Sequence, residues 1–276
     1  MDQDTTSCTD EENWFNPRSK QSKKIIKQYF TDNRRRSQQD LACVDAFSVS
    51  GNIAAAFRIN GEPSRSYDIK LNKKHDILSL IGFLTLCDLG MRLRPGGLIK
   101  AGPPCSLFVF QSSSLHSRRD GNEHGDTTIK SVRMANAIVL NFLAFVDAVI
   151  TYITGPIYFI VEQPVSSWMF KMPECRRFLQ RHGAQRIRTY MGAFGHALQK
   201  PSFLYGNLPH MNMLIKPVPS KNKHNGEKQG FYKAVAQGKV EGTNKLAGAA
   251  EYTPQYCKEI FRAWQRSEKF RIKDLF

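Results

Sequence analysis

From Leu41 onward, short apolar runs alternate with segments of helical periodicity along most of the chain. "LACVDAF" has the length and continuous apolar character of a buried parallel strand, and "GNIAAAFRING" after it has helical spacing and ends at Gly61. "SRSYDI" predicts a second strand, "ILSLIGFLTLCDLG" a helix that Asp76 is placed to cap, and "GGLIKAG" a third strand running into "PPC". A polar loop follows from Leu107 to Thr128. Beyond it come a long apolar helix, "VRMANAIVLNFLAFVDAVITYI", a buried strand, "PIYFIVEQP", a short helix, "ECRRFLQRHG", and a further strand, "RIRTYMGAF". This repetition predicts an α/β fold, a doubly wound and mostly parallel sheet with helices on both faces. In such sheets ligands bind at the carboxyl ends of the strands.

The two ends of the chain depart from that pattern. Residues 1–40 hold acids first and then the basic clusters "KQSKKIIK" and Arg34 to Arg36, with little apolar periodicity, and predict a flexible or loosely helical charged arm. After Pro209 the sequence turns rich in Lys, Gly and Asn before a final helical segment, "PQYCKEIFRAWQRSEKF". The expected organisation is therefore an arm over 1–40, a core over 41–209, and a basic loop region with a C-terminal helix over 210–276, a small appendage.

Composition narrows the class. A chain of 276 residues with 41% apolar content can bury one large core. A net charge of +16 exceeds what solubility needs and favours a polyanionic partner, nucleic acid before an anionic membrane surface. The six cysteines (Cys8, Cys43, Cys87, Cys105, Cys175, Cys257) form no CxxC pair, against a zinc ribbon or a disulfide framework. His116, His124 and His196 lack metal-ligand spacing, so no metal is expected. The polar opening "MDQDTTSCTDEEN" lacks the apolar stretch of a secretory signal, and Asn141, Asp147 and Gly155-Pro156 interrupt the longest apolar region. The expectation is an intracellular monomer, nuclear if its source has a nucleus, with no membrane partner.

Candidate chemistry centres on "AGPPCSLF". Two prolines fix the backbone and remove two amide donors, so the chain leaves the sheet there and displays Cys105, a potential nucleophile. "DAFSVSGNIAAAF" joins a strand to a helix through a small-residue turn, and Asp68 follows at about the spacing of a ribose-binding acid. The turn holds a single glycine, Gly51, in place of GxGxxG, which points to a nucleoside cofactor without phosphates.

These segments resemble the motifs of the cytosine-C5 DNA methyltransferases. "DAFSVSGNIAAAF" is similar to their S-adenosylmethionine loop, "GPPCS" to their catalytic Pro-Cys motif, "VEQP" to their glutamate motif and "QRIR" to their arginine motif, over roughly Leu41 to Pro209. The resemblance implies a Rossmann-like S-adenosylmethionine-dependent methyltransferase fold. It implies cofactor contacts from Asp45, Phe47, Ser48, Gly51, Asp68 and Pro103. Asp76 either caps a helix or stands where the family has an acid near the cofactor's adenine. "KPSFLYGNLP" resembles a segment that follows the arginine motif in short, diverged members, with no role assigned.

The implied reaction explains the residue types. C5 of cytosine is a poor nucleophile, so the Cys105 thiolate first adds at C6 to give an enamine whose C5 attacks the methyl group. Glu162 holds the base's N3 and amino edge, and Arg188 with Arg186 contacts its carbonyl oxygen or orients the loop. The base must leave the duplex, and the loop from Leu107 to Thr128 is the expected cover, with Ser112 to Ser114, Arg118 and Arg119 on phosphates. Lysines between Lys216 and Lys245 are expected to contact phosphates too. Expected partners are DNA or, if the short recognition region reads shape, RNA. A rival is a catalytically silent module that binds nucleic acid or cofactor. The chain departs from the family at Gln163, where the family has asparagine, and at Ala184, where it has glutamine. A final Asn-rich cofactor motif is missing, although the helix from Pro254 could fill its place, and the region after Pro209 is too short for a full target-recognition domain.

Overall fold

The structure is a computed structural model that describes residues 14–33, 38–217, 232–235, 239–242 and 250–273. Cys8, Arg34 to Arg36 and most of the stretch from Lys216 to Lys245 lie outside the described residues.

The strands are β1 (Leu41–Ala46), β2 (Ser64–Tyr67), β3 (Leu93–Ala101), β4 (Tyr158–Pro164), β5 (Gln185–Tyr190) and β6 (Pro201–Gly206), with a separate hairpin of β7 (Tyr232–Val235) and β8 (Lys239–Gly242). The helices are α1 (Lys20–Asn33), α2 (Asn52–Ile59), α3 (Leu80–Met91), α4 (Ser113–His116), α5 (Lys130–Tyr152), α6 (Pro173–Arg181) and α7 (Pro254–Lys273). The main sheet runs β2-β1-β3-β4-β6-β5, parallel except for β6, which is antiparallel to both neighbours. This is the predicted Rossmann-like α/β architecture. From β1 the chain winds outward to β2, and from β3 it winds the other way to β4, so the order reverses between β1 and β3. The carboxyl ends of those two strands are where such a sheet opens a crevice for a ligand.

Strand period divides the core in two. Val44, Ala46, Ile99, Ala101, Phe159 and Val161 face α1, α3, α5 and α6. Cys43, Leu98, Ile160, Leu204 and Ile187 face α2 and α7. Helix α5 is long and apolar enough to cross a membrane, but here one side of it is buried against α1, α3 and α6.

Two expectations are corrected at the ends of the chain. The arm, expected to be flexible or loosely helical, is in part a firmly packed helix: α1 starts where Ser19 Oγ accepts from Ser22 N, and it buries Ser22, Ile26 and Phe30 at i, i+4 and i+8. Tyr29 donates to Asp88 at 2.7 Å, and Asn141 Nδ2 donates to Phe15 O at 3.0 Å, tying this segment to α3 and α5. The C-terminal helix, expected in an appendage, closes the second face. In α7, Trp264 is 1% exposed, donates to Gly96 O at 2.8 Å and lies 5.0 Å from the Phe57 ring.

The arm correction is measurable. Phe30 is fully buried beside Tyr152, and truncation of such a ring costs about 3 kcal/mol. Phe30→Ala is expected to lower stability by about that amount in urea unfolding. A variant as stable as the parent would return α1 to a loosely attached arm.

Candidate active site

Strand β3 ends at Ala101, and Gly102-Pro103-Pro104 lifts the chain off the sheet. A side chain at Gly102 would place its Cβ 2.3 Å from the Tyr252 hydroxyl, so only glycine lets these two segments meet. Gln163, at the end of β4, donates through Nε2 to Pro103 O at 2.5 Å and accepts from Ser167 Oγ at 2.8 Å. The residue that departs from the family pattern thus fastens the Pro-Pro-Cys turn to the neighbouring strand. Phe108 N closes the turn on Cys105 O at 2.9 Å. Cys105 is partly exposed, whereas Cys43, Cys87, Cys175 and Cys257 are buried. Burial, with the Glu162 carboxylate second, pushes the Cys105 thiol above its ordinary pKa, so it rests protonated.

Glu162, from the middle of β4's exit, is 4% exposed, and each of its oxygens accepts one hydrogen bond. Ser202 Oγ donates to Oε1 at 2.6 Å and Tyr252 OH donates to Oε2 at 3.0 Å. Behind Tyr252, Lys100 Nζ donates to its hydroxyl at 3.0 Å and to Ala101 O at 3.1 Å, with the ammonium 4.3 Å from the centre of the Tyr252 ring. Lys100 is 0% exposed. Register explains the grouping: Asp45 pairs with Lys100, Lys100 with Ile160, and Glu162 lies two residues past Ile160, so all three side chains share the face under α2 and α7. Burial opposes the Glu162 charge, but Lys200 and Lys100, with hydrogen bonds from Ser202 and Tyr252, outweigh it and hold the carboxyl below its usual range. Burial pushes Lys100 down to about 8 and Asp45 up to about 7.

Sequence reasoning missed Lys100, Lys200, Ser202 and Tyr252. The signal for Lys100 was a charge inside the apolar run "GGLIKAG", because a lysine is almost never fully buried unless paired. Ser202 and Lys200 sit in "KPSFLYGNLP", the segment with no assigned role, which forms β6 and its approach. Tyr252 just precedes α7, so no local pattern links it to β4.

The expected cofactor residues gather at the β1 exit, with differences. Phe47 and Val49 take φ of 54°, which is costly for a β-branched valine, and Gly51 takes φ of 74°. A Cβ at Gly51 would lie 2.7 Å from Ser66 Oγ. Asp68 clasps this turn, accepting from Val49 N at 2.9 Å and Lys70 N at 2.8 Å. Its main work is to hold the strained turn. Phe47 packs edge-on to Phe142 at 5.6 Å. Ser48 is buried with no partner for its hydroxyl among the described residues, a gap that a polar ligand group at the crevice would fill. Asp45 is corrected: it is 1% exposed, accepts from Ala54 N at 3.3 Å beneath α2, and does not open on the crevice. Asp76 caps no helix. It accepts from Leu78 N at 3.0 Å, and Ser79 is the cap of α3, accepting from Gly82 N at 2.9 Å.

The arginine motif and the loop need further corrections. Arg186 pairs through Tyr205 with Val161, and Arg188 through Phe203 with Gln163, which puts both on the face opposite Glu162. Both are exposed, with Arg186 5.0 Å from the Phe203 ring and Arg188 5.3 Å from the Tyr190 ring. They do not join Cys105 and Glu162. The loop after Cys105 is built rather than open. Arg118 is 4% exposed, donates to Leu107 O and Glu123 O at 2.7 Å each, and covers the Phe108 ring at 4.1 Å. Burial lowers its pKa to about 10. It organises the loop and is not free for phosphate. Ser112 turns inward onto Ser106 O and Val109 O, while Arg119 stays exposed. An ion pair from Arg176 to Glu123 and a hydrogen bond between His124 and Glu174 fasten the loop to α6.

Among the described residues, no group of three or more His, Cys, Asp or Glu side chains could hold a metal ion. No family model matches the chain, and no curated protein matches it. Among solved structures, that of the Entamoeba histolytica methyltransferase EhMeth is similar at a TM-score of 0.37 and 14% identity, over 67% of this chain and 58% of that one. This chain therefore spans less than two thirds of that protein's length, and likeness at this level assigns no function.

Proposed function

We propose that this protein transfers a methyl group from S-adenosylmethionine to C5 of cytosine in DNA. The observation behind this reading is the pairing of a partly exposed cysteine at the end of β3 with a buried, charged glutamate at the end of β4. A thiol and a carboxylate on adjacent parallel strand ends suit a reaction in which one group adds to a ring carbon while the other holds the opposite ring edge.

The β1 exit supports a nucleoside cofactor in part. The unpartnered Ser48 hydroxyl fits such a ligand, whereas the bare Cα of Gly51 is turned toward Ser66 and Asp68 has one lone pair per oxygen left after clasping Val49 and Lys70. Ser48, Gly51 and Asp68 would hold S-adenosylmethionine, whose sulfonium supplies an electrophilic methyl group.

The chain's own residues do the rest. The base leaves the duplex to reach Cys105, with the braced loop after Cys105 as one wall of its pocket. The partly exposed Cys105 thiol gives its proton to solvent and its sulfur adds to C6, breaking the C5–C6 double bond and making C5 the nucleophile for the methyl group. Glu162 orients the base by its N3 and amino edge and shares a proton as negative charge grows on the ring. Once C5 carries the methyl group, loss of its proton to solvent re-forms the C5–C6 double bond and expels Cys105 as the thiolate. The net charge of +16 supports a phosphate-bearing substrate.

The test is covalent trapping. The protein with S-adenosylmethionine and DNA containing 5-fluorocytosine is expected to form a gel-stable adduct, because fluorine at C5 blocks the final elimination. An adduct on the equivalent RNA alone would move the substrate to RNA. No adduct on either, with S-adenosylmethionine still bound, would leave the silent module as the better description.

A further inference from the structure

The Glu162 carboxylate raises a question of supply. It is 4% exposed and both oxygens already accept hydrogen bonds, yet a group that shares a proton with a base must obtain one. Among the described residues, Ser202 and Tyr252 are the two donors, and only Tyr252 is hydrogen-bonded onward to a cation, through Lys100 Nζ at 3.0 Å. All three members of this chain are buried, so the connection from ammonium through phenol to carboxylate is insulated from solvent.

We propose that Lys100 and Tyr252 form a buried proton relay to Glu162. The inference rests on the reading of Glu162 as the group that holds the base. As charge develops on the ring, the Tyr252 O–H bond breaks toward Glu162 Oε2 while a Lys100 N–H bond breaks toward the Tyr252 oxygen. Tyr252 is left neutral, Glu162 protonated and Lys100 a neutral amine. Glu162 passes its proton to the base's N3, and the same path in reverse restores Lys100 when the adduct collapses. Lys100 and Tyr252 are positioning residues, because they act only through Glu162.

The neighbours leave this route as the bonded one. Lys100 is faced by Cys43 and Asp45 from β1, Glu162 from β4, Lys200 ahead of β6, and Tyr252, Tyr256 and Cys257 at the head of α7. Glu162 is faced in addition by Ser202 and Cys105. Asp45 spends one oxygen on Ala54 N and has no partner for the other among the described residues, and Lys200 lies 5.9 Å from the centre of the Tyr252 ring. A Lys100 pushed by burial down to about 8 is charged at neutral pH and gives its proton more readily than an exposed lysine.

The experiment follows the pH dependence of adduct formation on 5-fluorocytosine DNA for the parent, Tyr252→Phe and Lys100→Met. Below the Lys100 value of about 8 both variants are expected to be slower by about tenfold or more, and the deficit shrinks toward none as the pH climbs past that value and the parent loses the same proton. A deficit of constant size across the pH range would overturn the relay, since a merely structural defect does not follow Lys100 titration. If Lys100→Met fails to fold, Tyr252→Phe, which keeps the ring, decides alone. A parent that forms no adduct on DNA or RNA would instead overturn the reading of Glu162 on which the relay rests.

Discussion

Cys105→Ala is expected to abolish methyl transfer and the trapped adduct, a loss of at least about 10⁴-fold, while the fold and S-adenosylmethionine affinity stay close to those of the parent. The size of the loss follows from the chemistry. Without a nucleophile at C6, C5 of cytosine has no route to enamine character, so the alanine variant loses the mechanism rather than one contribution to it. The preserved fold follows from the surroundings. Cys105 is partly exposed, and the turn is held by neighbours' atoms, Gln163 on Pro103 and Phe108 on the Cys105 carbonyl, that the substitution leaves in place. Single-turnover transfer, calorimetric titration of the cofactor and a thermal melt together decide it. A rate loss accompanied by lost binding and a lowered melting point would mark Cys105 as structural. Residual transfer within about tenfold of the parent would remove covalent catalysis from the proposal.

The elements that were legible in the sequence share a physical cause. Parallel strands buried on both faces carry unbroken apolar runs, so β1, β3 and β4 announced themselves, and the proline pair marked where β3 must end. The packing of helix α1 onto the core was not legible because its buried positions, Ile26 and Phe30, lie among lysines whose charge obscures a narrow apolar stripe. The misplacement of Arg186 and Arg188 has another origin. Which face a β5 side chain takes depends on its register through the intervening antiparallel strand β6, and nothing local to "QRIR" encodes that register. Inserting β6 also brings Ser202 to Glu162 from 40 residues away in sequence, and Tyr252 arrives from 90. Cys105 and Glu162 could be found because each stands next to a strand it ends, whereas their supporting shell is assembled by long-range packing.

Glu162→Gln is expected to produce a slower enzyme with a more reactive cysteine, and that opposition makes it informative. The amide cannot take up and return a proton at N3, so single-turnover transfer should fall by about 10²- to 10³-fold. It also removes the carboxylate that, after burial, helps hold the Cys105 thiol above its ordinary value, and it leaves Lys100 and Lys200 without their common counter-ion. Both changes favour the thiolate, so alkylation of Cys105 should reach half its limiting rate at a lower pH than in the parent. Stability changes with a definite sign as well. A carboxyl held below its unfolded-chain value contributes stability that is fully present above that value and is lost as the pH falls through the folded one. The parent's advantage over Glu162→Gln in urea unfolding should therefore be largest near neutral pH and shrink as the pH drops below the ordinary glutamate range, about 4. A slower enzyme with an unchanged alkylation profile would mean that Glu162 does not act on Cys105 through its charge, and the two strand ends would then not form one site.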